Sequence, residues 1–184
     1  MDAKEKAELL KLLEDGRRAV LEAVDGVGED LAARAPAPGK WSIVQCVEHL
    51  AIAEDGMFAR TLAAQAAEAA IMNEKRESAI LSRGLDRSRS VPAPEIAKPT
   101  GLHTTLDAAL RHFLAAHERT RRFVEAYHGD LRGQVTSHPL VGSVNCYENL
   151  LLLAMHPLRH AQQIDECKSL LGAGEQAGEP APRA

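Results

Sequence analysis

Two imidazoles four residues apart are the first sign of chemistry in this chain. His156 and His160 lie in the segment NLLLLAMHPLRHAQQ, residues 149–163, whose apolar spacing predicts a buried helix. On an α-helix that separation stacks both rings on one face, with Cβ atoms about 5–6 Å apart. Both ring nitrogens can then reach one metal ion at about 2.0–2.1 Å. A third imidazole, His49, falls in another apolar helical segment, where an unpartnered ring would be costly to bury. With eight histidines in the chain, the pair alone is a weak signal, and the apolar setting strengthens it. Three histidines leave coordination positions open, the arrangement of a catalytic or ligand-capturing site. Imidazole suits zinc, nickel, iron or copper and does not choose among them.

The elements that must position these rings read as helices. Apolar residues make up 45% of the 184-residue chain and aromatic residues only 3%, so the core must be built from Leu, Val, Ala and Ile. That length fits one domain with a substantial core. A first helix is expected over 4–25, where Leu9, Leu13, Val20 and Val24 form a stripe and Gly16 costs about 1 kcal/mol without ending it. A connection follows over 26–41, with a short helical turn at 29–33. Ser42 and Gln45 form a capping-box signature, which predicts a second helix over 43–72 carrying His49 near its second turn. Trp41 then stands just ahead of the cap and is expected to pack the helix entrance. Glu48 adjoins His49 but points about 100° away round the helix, which disfavours it as a general base.

Residues 73–103 have poor periodicity and hold Arg83, Arg87, Arg89 and Lys98 among prolines. They are expected to form a long connection, its arginines solvated rather than reading an anion over the site. The third helix should run from 104 or 105 to about 128, with His117 in its apolar seam. A histidine there is more often a hydrogen-bonded core residue than a ligand, although an outer role beside the metal is an alternative. Residues 129–144 read as a connection, and Asn145 with Glu148 predicts the start of the fourth helix. That helix should end before Gly172, leaving 172–184 as a disordered tail. Pro157 inside it should bend the helix and free the Leu153 carbonyl. The fold expected is all-α: a four-helix bundle over 1–171 with a long link between helices two and three. The net charge of −4, few aromatics and no basic stripe exclude nucleic acid as the natural partner. No apolar run approaches a membrane span, no signal peptide is visible, and three scattered cysteines suit a cytoplasmic protein.

The segment GKWSIVQCVEHL, residues 39–50, resembles the opening of helix two in the DinB-like family, named for damage-inducible bacterial proteins. His138-Pro139 to Gly142, Tyr147 and the stretch from His156 to Ile164 are similar to that family's last helix and the turn before it. The loop from Ala93 to Gly101 is similar to members of its second subgroup. The resemblance implies a four-helix bundle with a divalent transition metal held by His49, His156 and His160, and often a homodimer. It also implies chemistry on a small-molecule substrate, with transfer to or from a low-molecular-weight thiol as the first reading. Gln163, one turn past His160, would then orient a ligand or bound solvent. Metal-dependent hydrolysis and a non-enzymatic, stress-related binding bundle are the alternatives.

Overall fold

The computed structural model describes residues 1–67, 73–88 and 91–177. Four long helices form the bundle: α1 (Ala3–Val24), α3 (Ile43–Leu62), α5 (Leu106–Ala126) and α6 (Cys146–Ala177). Two shorter helices, α2 (Glu29–Ala33) and α4 (Glu74–Arg83), fill connections, and a 3₁₀ turn spans Glu95–Ala97. The capping boxes are present at both predicted starts. Ser42 and Gln45 exchange hydrogen bonds of 2.9 and 3.2 Å ahead of α3, and Asn145 and Glu148 do so ahead of α6. Thr105 caps α5 through the Ala108 amide.

α1 packs along α6, while α3 packs against both α5 and α6. The apolar core falls into two clusters. One is built around Val20, Ile43, Val47, Leu50, Phe113 and Ile164; the other around Leu9, Leu13, Phe58, Val124, Leu150 and Leu153. Along α3 the change from one cluster to the other falls between Ala51 and Met57, and along α6 between Met155 and Ala161. The break in apolar packing is therefore where polar side chains are buried.

Several expected boundaries are corrected. The second bundle helix ends at Leu62 rather than near 72, because Gln65 and Ala66 form strand β1. Its expected reach over 68–72 lies outside the described residues. The link over 73–103 is not bare loop: Asn73 caps α4, which docks on α6. Residues 129–144 contain a hairpin, β2 (Gln134–His138) with β3 (Gly142–Asn145), and β1 pairs antiparallel with β2. The last helix does not stop at Gly172 but continues to Ala177; the rest of the expected tail, 178–184, lies outside the described residues. Pro157 is accommodated inside α6, and Gly16 of α1 lies opposite it. A Cβ at Gly16 would stand 3.1 Å from the Ala154 carbonyl oxygen and 3.2 Å from the Pro157 Cβ. The glycine that weakens α1 locally is what lets the two helices approach. All three cysteines are buried and unpaired. Among the described residues no helix is long and apolar enough to cross a membrane.

Candidate metal centre

α3 delivers His49 and α6 delivers His156 and His160 to one point. The His49 Nε2 stands 3.2 Å from the His156 Nε2, which is 3.0 Å from the His160 Nε2. No other group of three such side chains within reach of one ion occurs among the described residues. Ligand nitrogens at tetrahedral positions round an ion at 2.0–2.1 Å are about 3.3 Å apart, which the two short separations match, and all three ligand atoms lie within 4.8 Å of one another.

The hydrogens make the same point. The His49 Nδ1 donates to the Ala97 carbonyl at 2.6 Å, which leaves its Nε2 as a bare lone pair in the neutral ring. One proton on the His156 Nε2 cannot be well aligned to both neighbouring nitrogens, so neutral rings leave one of the two contacts poorly bonded. A cation at the centre would relieve this. Burial lowers the pKa of His49, pushes that of His156 down to about 3 and takes that of His160 well below its ordinary value; neighbouring rings and arginines add to the last two. All three are held in the neutral form that binds metal.

Ala97 is brought to His49 by an anchor that sequence reasoning missed. Glu48, fully buried, accepts through one carboxylate oxygen from the Thr100 amide, the Thr100 hydroxyl and the Leu102 amide at 2.9–3.0 Å. Trp41 packs on the other side, its ring centroid 4.9 Å from that of His49. The lone tryptophan thus touches a candidate ligand as well as the helix entrance.

The two candidate outer residues have hydrogen-bond partners of their own. His117 is 1% exposed and spends its nitrogens on Glu54, at 3.0 Å, and the Leu13 carbonyl, at 2.9 Å. It is a core histidine that ties α5 to α3 and α1, not a support for the three-ring cluster. Gln163 accepts from Arg87, which also forms a two-pronged pair with Glu166. Arg87 belongs to an ion-paired surface; Arg89 lies outside the described residues.

His49 and His156 face an apolar cavity of about 180 Å³, and His160 stands behind them. Ala53, Met57, Leu152, Met155, Ile96 and Leu140 contribute walls and rim. Arg60, His138 and Arg159 supply its other polar groups, and among the described residues no carboxylate lines it. The His138 Nδ1 accepts from the Leu140 amide, and burial together with nearby Arg60 lowers its pKa.

A four-helix bundle in which two facing helices converge three imidazoles on a single point, open on one side to a cavity, has the frame of a bundle metalloprotein. Residues 12–164 match the DinB superfamily, and the chain belongs to that family. It is also similar in structure to YfiT from Bacillus subtilis, described as a probable metal-dependent hydrolase with an unusual four-helix bundle topology. That likeness has a TM-score of 0.57 at 17% identity and covers 94% of this chain and 90% of YfiT; it concerns the fold. No curated protein matches the chain.

Proposed function

We propose that the protein is a metal-dependent enzyme that transfers a small external thiol to an electrophile held in the apolar cavity. The observation that carries this reading is the convergence of the three Nε2 atoms at the end of that cavity. A divalent ion there would supply a Lewis acid able to acidify a bound thiol or water. The side chains define the rest. Ala97 fixes the His49 tautomer, and the apolar walls exclude water from the electrophile. In the transfer, sulfur bonds to the electrophilic carbon, the leaving group departs with its bonding pair, and the thiol proton passes to solvent.

Among the described residues no carboxylate lines the cavity, so none is offered there as a base to a water, whereas a thiolate needs none. Hydrolysis is the second reading, favoured by the description of YfiT. It would call on His138 as base, yet that ring spends its Nδ1 lone pair on the Leu140 amide.

The test combines metal analysis of purified protein with mass-spectrometric product analysis for several thiols, electrophiles and activated esters. The expected result is a thiol adduct whose formation stops on chelation and returns with added metal. Ester hydrolysis without thiol dependence would favour the second reading. Wild-type protein that takes up no zinc, nickel or iron would remove both.

A further inference from the structure

The floor of the cavity is one face of α3. His49, Ile52, Ala53, Gly56, Met57 and Arg60 all line it, at the i, i+3, i+4, i+7, i+8, i+11 spacing of a single helical stripe. Arg60 closes the end opposite His49. Its guanidinium folds back over Gly56, where a Cβ would stand 3.2 Å from the Nη1 atom. Gly56 is seven residues beyond His49, which places the guanidinium about 10 Å along the helix axis from the candidate metal ligand. Among the described residues this half-buried cation makes no ion pair or hydrogen bond, and no carboxylate lines the cavity to neutralise it. A half-exposed guanidinium beside apolar walls is met by solvent in the free protein and leaves its fork available to an anionic ligand that enters the cavity.

We propose that the cavity takes a small anionic amphiphile, its apolar body lying along Ala53 and Met57 and its anionic group paired with Arg60. The fork of Arg60 matches the two oxygens of a carboxylate and equally those of a phosphate or sulfate monoester. The volume, about 180 Å³, suits a single ring or a short chain, since an engineered apolar cavity of about 150 Å³ takes up benzene. Ile96 and Leu140 line the cavity and are 64% and 53% exposed, which gives an apolar entrance. The assignment deepens the reading of this same site by naming the class of its substrate, but it does not depend on a bound metal.

The test uses the full chain, labelled with ¹³C at its methionine methyls, after chelation and again after zinc loading. Met57 and Met155 line the cavity, so their resonances report binding there. Hexanoate, hexyl phosphate, hexan-1-ol and hexylamine are titrated separately. Hexanoate or hexyl phosphate is expected to bind at least 10-fold more tightly than the alcohol, and hexylamine more weakly still. Arg60→Gln should abolish that preference, Arg60→Lys should keep part of it, and the better of the two anions identifies the headgroup. Gly56→Ala, which favours the helix but displaces the guanidinium, should reduce the preference and stands in if Arg60→Gln does not fold. Equal binding of anion and alcohol to wild type, or an unchanged preference in Arg60→Gln or, in its stead, Gly56→Ala, would overturn the assignment. Zinc binding without anion selectivity sinks this inference alone; anion selectivity without zinc binding sinks the metal reading alone.

Discussion

His156 is the hinge of the site at residue scale, since its Nε2 is the atom that both other rings approach. Replacing it with Ala should weaken metal binding by more than about 100-fold, measured by competition with a chromogenic chelator. The depressed pKa values also set a pH dependence. An unfolded histidine takes a proton near pH 6.5, whereas folded His156 waits until about 3. Between those values the unfolded chain binds more protons, so these rings make stability fall as pH drops below about 6.5. His117 works the other way. Burial opposes its charge, but Glu54 and the Leu13 carbonyl outweigh it and raise its pKa. Its contribution is present below about 6.5 and is lost as pH rises through the raised value. With His49, His138, His156 and His160 against His117, the chelated protein should melt at a lower temperature at pH 5 than at pH 7.5. That gap should narrow in His156→Ala. His117→Leu should instead cost about 3–5 kcal/mol in urea unfolding, by stranding buried Glu54, and leave metal affinity unchanged. The spacing of His156 and His160 was legible because four residues on a helix mean one face. The Ala97 carbonyl was not, since a backbone oxygen carries no residue-type signal. Arg60 escaped because it becomes notable only once no partner for it is found among the described residues.

At the scale of elements, the segment over 94–102 serves the site through its backbone. Glu48 grips it at Thr100 and Leu102, and Ala97 then meets His49. Glu48→Ala should therefore lower metal affinity by about 10-fold although Glu48 touches no ion; Glu48→Gln, which keeps an accepting oxygen, should lose less. Titration with zinc, read by fluorescence of the lone Trp41 against His49, would measure both. Gly16→Ala should fail to gain the about 1 kcal/mol that helix propensity promises, and should lower stability by about that amount through its clash with Ala154 and Pro157. The bundle helices were readable from capping boxes and apolar stripes. The overshoot past Leu62 came from an alanine-rich run whose helix propensity is overridden at Gln65 and Ala66 by pairing with β2. The hairpin was missed because its five- and four-residue strands lack a clean alternation. Gly172 did not act as a stop, since a glycine ends a helix only where the chain must turn.

For the whole molecule, the candidate ion would cross-link α3 to α6 where the two apolar clusters part. Metal at about 100 times its dissociation constant should add about 2.7 kcal/mol, a rise of roughly 5–10 °C in a melting scan that chelator reverses. The buried cysteines carry a separate consequence. Burial pushes the Cys46 thiol up to about 12 and that of Cys146 to about 11, and Cys167 is raised as well. A protein that handled electrophiles, as proposed, would risk alkylation at its own sulfur. Here every sulfhydryl is buried and its raised pKa disfavours the reactive thiolate, which would spare the sulfur from such a reagent.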